Sequence, residues 1–232
     1  MKVPFNTWFN YFLKIVDILD TYKINYALFG AAAISIISRP ISTKDIDILV
    51  YPFPTNKQVL EILDKICLEI KCIKRFIEID AIEGKRAIII ADTEKGPLGI
   101  EMWEKILRRE PEKFFKRSIK IPYQNKKIRI LKPEDLLATK LCELSPEPLD
   151  REKIETLINN SKYEINLDEV IKVIIDLNYE TVAIWNILDW YPKKLPEYAK
   201  TVIRKLLPYL STNLRNEVVL KIERRGLFNF IK

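Results

Sequence analysis

The sequence predicts an α+β fold, with a mixed sheet flanked by helices over residues 1–131 and a helical C-terminal domain over residues 132–232. Three observations lead to this prediction. Up to residue 131, short strand-like apolar runs alternate with segments whose apolar residues recur at helical spacing. From Pro133 onward only helical spacing is found. A chain of 232 residues is also long enough for a sizeable core and a smaller second domain.

The elements are predicted from apolar spacing and from turn residues. Helical spacing covers residues 4–22, 31–38, 56–71 and, interrupted by Pro111, 104–117. Short apolar runs predict strands over residues 25–29, 45–51, 75–82, 86–92, 98–103, 119–123 and 127–131. Turn signals at Glu83-Gly84 and Gln124-Asn125 join two pairs of these strands. In the second domain, helical patterns start near Pro133, Asp150, Leu167, Tyr179, Leu195 and Ser211.

Composition and cysteine usage predict a globular protein of the cytoplasm. The chain is 48% hydrophobic and 31% charged, which excludes a disordered protein. No apolar run approaches the ~20 residues of a membrane span, and the N-terminal segment lacks the cleavage site of a signal peptide. Cys67, Cys72 and Cys142 are odd in number and lie in apolar helical segments, so we expect reduced structural thiols.

The net charge of +7 allows two interpretations. One is affinity for a polyanion such as RNA or a nucleoside triphosphate, and basic clusters at Lys105–Arg109, Lys113–Arg117 and Lys126–Arg129 add weight to it. The other is a lysine-rich proteome, because abundant Ile, Lys and Glu are common in proteins of thermophiles. Composition favours neither interpretation.

Asp45 and Asp47 are the most informative residues of the chain. Alternate side chains of a strand lie on one face, about 7 Å apart, so both carboxylates point the same way while Ile46 and Ile48 pack behind them. Two neighbouring carboxylates repel, and burial increases the cost of keeping both ionised. A divalent cation offsets that cost, since Mg²⁺ prefers hard oxygen ligands and shares them with substrate phosphates. The pair therefore predicts a metal site for a nucleotide.

Gly30 lies between a predicted strand and a predicted helix, fifteen residues before Asp45. A glycine at this point lets the backbone approach a phosphate, and the start of a helix supplies free amide donors. Alone, it would indicate only a tight turn. The order strand, Gly, helix, loop and Asp-x-Asp strand resembles the nucleotidyltransferase superfamily that includes DNA polymerase β. In that superfamily the glycine turn grips the triphosphate and the paired aspartates hold Mg²⁺.

A narrower resemblance is carried by residues 25–50, NYALFGAAAISIISRPISTKDIDILV. This segment is similar to that of AbiEii-like, toxin–antitoxin-type nucleotidyltransferases, and Arg39, Thr43, Lys44, Asp45 and Asp47 match their motif in order. The resemblance implies a nucleotidyltransferase-like mixed sheet for the first domain.

The later segment LKPEDLLATKL, which contains Lys140, resembles that family's Pro-Glu-Asp-Leu helix. Asp150-Arg151 matches the acidic start of its next helix. The chain departs from the pattern at two positions. Ala31 replaces the usual Gly or Ser of the turn, and Lys153 stands where an acid is usual.

Two-metal phosphoryl transfer needs a third carboxylate. Glu101, in LGIEMW, lies in a setting like that of Asp47 and matches the family's third-acid strand. Asp92 ends the preceding strand and is expected to be a solvated turn residue. Glu78 and Asp80 form another alternating pair, but no glycine turn precedes them, so an exposed strand face is expected. Glu101 is the predicted third acid.

The resemblance implies transfer of an NMP from an NTP to an acceptor hydroxyl, with Mg²⁺, or Mn²⁺, as the metal. Catalysis and metal binding are assigned to Asp45, Asp47 and Glu101. Nucleotide binding is assigned to Gly30, Ala31, Arg39, Thr43, Lys44 and Lys140. The implied partners are RNA, tRNA in particular, and an antitoxin-like protein, with no membrane. The alternative is a catalytically inactive nucleotide- or partner-binding module of the same fold, and Ala31 and the third acid, a Glu in place of the usual Asp, motivate it. A third possibility is a plain RNA-binding protein, whose RNA affinity would not depend on Asp45 and Asp47.

Overall fold

The computed structural model describes residues 2–80, 84–123 and 126–226, and for Asp80 the backbone only. The chain divides into two compact units, Met1–Lys132 with Asn160–Lys162, and Pro133–Asn159 with Tyr163–Lys232. The predicted turn at Gln124-Asn125 and residue Glu83 of the other predicted turn lie outside the described residues.

The first unit contains a mixed sheet and helices, as predicted. Its strands are β1 (Asn25–Phe29), β2 (Asp45–Tyr51), β3 (Cys72–Asp80), β4 (Gly84–Thr93), β5 (Gly96–Trp103), β6 (Ile119–Tyr123) and β7 (Lys126–Ile130). Its helices are α1 (Phe5–Thr21), α2 (Gly30–Ile37), α3 (Asn56–Ile70) and α4 (Pro111–Arg117). Within the described residues the strands form one sheet in the order β3-β4-β5-β2-β1-β7-β6. The β2–β5 and β1–β7 pairs are parallel and the others antiparallel, so the α+β prediction is confirmed.

Burial alternates along the first half of β2, which fixes the face that each side chain takes. Ile46 and Ile48 are fully buried, whereas Asp45 and Asp47 are partly accessible on the opposite face. The apolar stripe of α1, including Trp8 and Phe12, is likewise buried. The alternation predicted for the Asp-x-Asp strand is therefore present, with a hydrophobic layer behind the acids.

The helix predicted over residues 104–117 is wrong in its first half. Leu107 and Arg108 have positive φ angles of 49° and 60°, and Ile106 and Arg109 form an isolated bridge. These conformations are incompatible with a right-handed helix. The helix α4 begins only at Pro111, where a residue without an N–H is well suited because a first-turn N–H has no partner within the helix.

The expectation of three reduced thiols is wrong for two of the cysteines. Lys71 ends α3 in the left-handed conformation, with φ of 53°, and so turns the chain back into β3. This turn brings the Cα atoms of Cys67 and Cys72 to 4.7 Å, and the two residues form a disulfide. Cys142 is free and buried, and burial raises the pKa of its thiol.

The second unit is helical, and no strand occurs among its described residues. Its helices are α5 (Pro133–Leu141), α6 (Pro148–Asn160), α7 (Leu167–Leu177), α8 (Glu180–Trp190), α9 (Glu197–Leu206) and α10 (Thr212–Arg224). Their buried faces consist mainly of Leu, Ile, Val and Ala. Among the described residues, no helix of either unit is both long and apolar enough to cross a membrane.

Candidate active site

The strand register brings the predicted acids into one row. Asp47 of β2 pairs with Phe29 of β1 on one side and with Glu101 of β5 on the other. Asp45 pairs with Gly99, two residues before Glu101. Directly paired residues lie on the same face, and neighbouring strands are about 4.8 Å apart. Asp45, Asp47 and Glu101 therefore share one face of the sheet.

The other acids that the sequence offered lie elsewhere. Asp92 is exposed near the end of β4. Glu78 lies on β3, two strands away from Glu101, and forms an ion pair with Arg86. The side chain of Asp80 lies outside the described residues. Of the candidates that can be placed, Glu101 is the one opposite Asp47.

Gly30 occupies a position that a residue with a side chain could not take without strain, for two reasons. Its φ of +64° lies in the left-handed region. A Cβ added to Gly30 would overlap the Oδ2 atom of Asp47 and would lie 3.0 Å from its Cγ atom. The start of α2 therefore lies against the Asp47 carboxylate, and the side chain of its N-cap residue, Phe29, forms no capping hydrogen bond. Ala31 is buried, and its predicted contact with a phosphate stays a prediction.

Thr43 positions Asp45. Its hydroxyl donates to the main-chain oxygen of Asp45 at 2.9 Å and lies 3.3 Å from the Oδ1 atom. Thr43 is buried and its main chain forms two hydrogen bonds with Val3, at 2.7 and 3.0 Å. Arg39 and Lys44 are exposed in the segment between α2 and β2. Thr43 thus supports an acid, while Arg39 and Lys44 have the exposure that a phosphate contact needs.

Arg86 is the residue of this face that the sequence did not predict. Its Nη1 atom donates to the Oε2 atom of Glu101 at 3.0 Å, and its Nη2 atom donates to Glu78. The guanidinium lies 4.4 Å from the ring centroid of Trp103. Within the described part of the chain, Arg86 Nε and Trp103 Nε1 are buried without a hydrogen-bond partner. No local pattern reveals this cluster, because it forms across three strands.

The surroundings of Glu101 shift the pKa of its carboxyl in opposite directions. Burial raises the pKa of its carboxyl and the nearby Asp45 raises it further, whereas Arg86 lowers it. The net effect is a raised pKa, and Arg86 is the counter-ion that opposes this rise in a partly buried site.

The acids fit a hard divalent cation only in part. Asp45 and Asp47 supply adjacent carboxylates, and the missing side chain of Gly30 lets the Asp47 carboxylate lie against the start of α2. Across residues 2–80, 84–123 and 126–226, however, no group of three or more His, Cys, Asp or Glu side chains is placed to hold a metal ion. The carboxylate of Glu101 is bonded to Arg86. In a three-acid site, Glu101 would bind the metal through the carboxylate oxygen that Arg86 does not contact, or through both oxygens after release of Arg86.

Replacement of Arg86 by methionine is expected to raise the pKa of Glu101. The substitution removes the cation that favours the ionised carboxyl and leaves burial and Asp45 in place. A carboxyl ¹³C NMR titration of Glu101 measures the change. The matched control is Arg75→Met, since Arg75 pairs with Asp64 instead of Glu101. An unchanged Glu101 titration in Arg86→Met would contradict the assigned role of Arg86.

In the second unit, the side chain of Lys140 is surrounded by carboxylates. Its ammonium pairs with Glu143 and lies 3.3 Å from the Oδ1 atom of Asp150, which Lys153 also contacts at 2.8 Å. Burial and Asp150 raise the pKa of Glu143 to about 7 against the effect of Lys140. Burial would raise the pKa of Asp150, but Lys140 and the hydrogen bonds from Glu143 and Lys153 hold it well below its usual range. The predicted phosphate contact of Lys140 stays a prediction.

Three solved structures show likeness to this chain. A putative nucleotidyltransferase from Helicobacter pylori is 17% identical, with 95% of this chain and 95% of that chain covered and a TM-score of 0.49. A putative nucleotidyltransferase from Thermotoga maritima is 21% identical, with 66% and 92% covered and a TM-score of 0.41. An antigenic nucleotidyltransferase-like protein from Paracoccidioides brasiliensis is 14% identical, with 64% and 75% covered and a TM-score of 0.39. We draw nothing on substrate from them.

No curated protein matches the chain. A protein family described as "Nucleotidyltransferase of unknown function (DUF6036)" matches residues 9–191, which include the glycine turn, the acid row and the first helices of the second unit. The match covers well over half of the chain, and the chain belongs to this nucleotidyltransferase family.

Proposed function

We propose that this protein is a magnesium-dependent nucleotidyltransferase that transfers an NMP from an NTP to an acceptor hydroxyl. The observation that carries the proposal is the contact between the glycine turn and the acid row. A side chain at position 30 would overlap the Asp47 carboxylate, so the start of α2 and that carboxylate adjoin the same space.

This arrangement suits a triphosphate with a bound metal ion better than it suits a triphosphate or a metal ion alone. The N-terminus of a helix attracts anions through its free amides and its dipole. Two aspartates next to that N-terminus would repel a bare phosphate. A divalent cation between the carboxylates and the phosphates resolves this conflict, and Mg²⁺ and Mn²⁺ both accept hard oxygen ligands.

The residues take the following roles in the proposal. Asp45, held by Thr43, and Asp47 bind the metal, and the amides of Gly30 and Ala31 bind the β- and γ-phosphates. The metal, when bound, lowers the pKa of the acceptor hydroxyl and offsets phosphate charge. Arg39 and Lys44 offset further phosphate charge. Glu101 joins the two aspartates as the third acid, with Arg86 bonded to one of its two carboxylate oxygens.

The reaction itself is a substitution at the α-phosphorus. A bond forms between the acceptor oxygen and the α-phosphorus, the bond to the β-phosphate bridge breaks, and pyrophosphate leaves. The acceptor proton passes to solvent or to a neighbouring carboxylate.

The proposed acceptor is RNA, and tRNA in particular. The net charge of +7 supports binding of a polyanion, and the resemblance to toxin–antitoxin-type nucleotidyltransferases supports an RNA end as acceptor and an antitoxin-like protein as partner.

A second candidate function is a nucleotide-binding module without catalysis. The ion pair between Arg86 and Glu101 favours it, because an arginine that offsets the charge of the third acid weakens that acid as a metal ligand. Such a module would bind NTP through Asp45 and Asp47 and would transfer nothing.

The experiment that tests the proposal supplies α-labelled NTPs and Mg²⁺ together with total RNA and, separately, with total protein. Covalent label on RNA supports the proposal, whereas label on protein would show that the acceptor is a protein and not RNA. Unlabelled acceptors combined with Mg²⁺-dependent thermal stabilisation by NTP would favour the inactive module. Binding at a hundredfold excess over Kd stabilises the fold by about 2.7 kcal/mol, which a thermal melt detects.

A further inference from the structure

The strand β3 forms an edge of the sheet with no strand on its outer side in the described part of the chain. Its nine residues contain no proline, whereas the opposite edge strand, β6, has five residues including Pro122. An edge strand presents unpaired N–H and C=O groups and readily pairs with another strand. Of the two edge strands, β3 is the one suited to pair with a further strand.

The surface beside β3 is unusually apolar for an exposed region. Ile79, Leu68 and Ile73 are 81%, 78% and 64% exposed and are the three most exposed large hydrophobic residues in the described ranges. Ile73 lies at a bulge at the start of the strand, and the regular ladder runs from Lys74 onward. An apolar group of this kind beside an unpaired edge indicates an interface.

The helix α3 extends this apolar surface. Arg75 of β3 pairs with Asp64 of α3, so Asp64 faces the strand. Leu60 and Leu68 lie one helical turn before and after Asp64 and are both exposed. They therefore border the face of β3 that carries Arg75 and, by alternation, Ile79.

The charges of β3 are separated by sign along the strand. Lys74 and Arg75 lie in its first half and Glu78 in its second half. In an antiparallel pair of two β3 strands centred on Phe76, Lys74 lies opposite Glu78 of the partner subunit, and the two-fold axis repeats this pair. The same register brings Ile73 beside the partner's Ile79 at each end. Opposite charges directly across a strand pair stabilise it, and like charges destabilise it.

We infer that the β3 edge is a self-association surface, on which two copies of this chain form a symmetric dimer by antiparallel β3–β3 pairing. We assign a second copy of the chain as the partner because the charges of β3 are complementary to those of another β3 strand that runs antiparallel to it. An in-register parallel pair would instead place Lys74 opposite Lys74 and Glu78 opposite Glu78. The acid row lies on β2 and β5, away from the edge, so this inference does not depend on the proposed function.

The test is the mass in solution, measured by sedimentation velocity or by light scattering across a range of protein concentrations. The expected mass is twice the 27.4 kDa of one chain. Ile79→Lys is expected to raise the dimer dissociation constant about tenfold or more, because it places a charge in the apolar strip of both copies. The matched control is Leu220→Lys, which changes a 50% exposed leucine on α10 and is expected to leave the dissociation constant unchanged.

A charge exchange tests the register. Lys74→Glu and Glu78→Lys are each expected to weaken the dimer about tenfold, since each creates two like-charge pairs across the interface. Glu78→Lys also removes the ion pair of Glu78 with Arg86 within each copy. The double variant Lys74→Glu/Glu78→Lys restores opposite charges across the interface and is expected to recover most of the loss that Lys74→Glu causes. Circular dichroism checks that each variant is folded.

Three results would overturn the inference. One is a monomer at the highest concentration measured, and another is a dimer that Ile79→Lys leaves unchanged. The third is a double variant whose dimer dissociates more readily than the dimer of either single variant. Assembly only in the presence of another protein would assign the edge to a different occupant and would also contradict the proposed dimer.

Discussion

Replacement of Asp47 by asparagine is expected to lower NMP transfer about 100-fold or more. The substitution keeps the shape of the side chain beside Gly30 but removes one of the two charges proposed to hold the metal. Nucleotide binding should then lose its Mg²⁺ dependence, because the carboxylate of Asp45 alone binds a hard cation more weakly than the two carboxylates together. Initial rates of label incorporation measure the first effect, and thermal melts with NTP, with and without Mg²⁺, measure the second.

The matched control for this variant is Asp92→Asn. Asp92 is an exposed acid near the end of β4, on the same sheet but outside the acid row. Its replacement removes the same charge and should leave transfer and metal-dependent binding as they are. Full transfer activity in Asp47→Asn would contradict the assigned site, whatever the control shows.

Replacement of Gly30 by alanine is expected to damage both stability and nucleotide binding. An alanine at φ of +64° costs about 1–2 kcal/mol of folding free energy from backbone strain alone. Its Cβ would also overlap Asp47 Oδ2, so the carboxylate or the turn must shift. We expect the free energy of unfolding to fall by about 2–4 kcal/mol. The nucleotide dissociation constant should rise at the same time. Denaturant unfolding and nucleotide titration measure the two quantities.

The variant Gly226→Ala separates the cost of backbone strain from the cost of the overlap with Asp47. Gly226 has a similar φ of +69°, but among the described residues an added Cβ there would have no neighbouring atom within 4 Å. This variant should therefore show the backbone cost alone and leave nucleotide affinity unchanged. Equal losses of stability in both variants, with nucleotide affinity preserved in Gly30→Ala, would mean that the contact with Asp47 has no consequence for the site.

The acid row was predictable from sequence because its signals are local. The alternation of Asp45, Ile46, Asp47 and Ile48 assigns a face to each side chain without knowledge of the neighbouring strands. The glycine at the junction of strand and helix is an equally local signal. The choice of Glu101 depended on its Asp47-like setting and on its match to the family's third-acid strand. The parallel pairing of β2 with β5, which places Glu101 opposite Asp47, was not predicted because strand pairing is not a local signal.

The features that the sequence did not predict depend on contacts between distant segments or on single backbone conformations. Arg86 reaches Glu101 and Glu78 only after three strands have paired. The disulfide between Cys67 and Cys72 depends on the left-handed Lys71 at the end of α3. A left-handed lysine has no sequence signature comparable to that of glycine, so apolar spacing alone suggested two helical thiols.

The most direct test of the account compares NTP labelled at the α-phosphorus with NTP labelled at the γ-phosphorus, in parallel reactions with RNA and Mg²⁺. Transfer of an NMP predicts that RNA acquires the α label and that the γ label is recovered as pyrophosphate. Appearance of the γ label on RNA would show phosphoryl transfer instead. If NTP binds in an Asp47-dependent manner but neither label reaches any acceptor, the protein is a nucleotide-binding module and the proposed reaction is wrong.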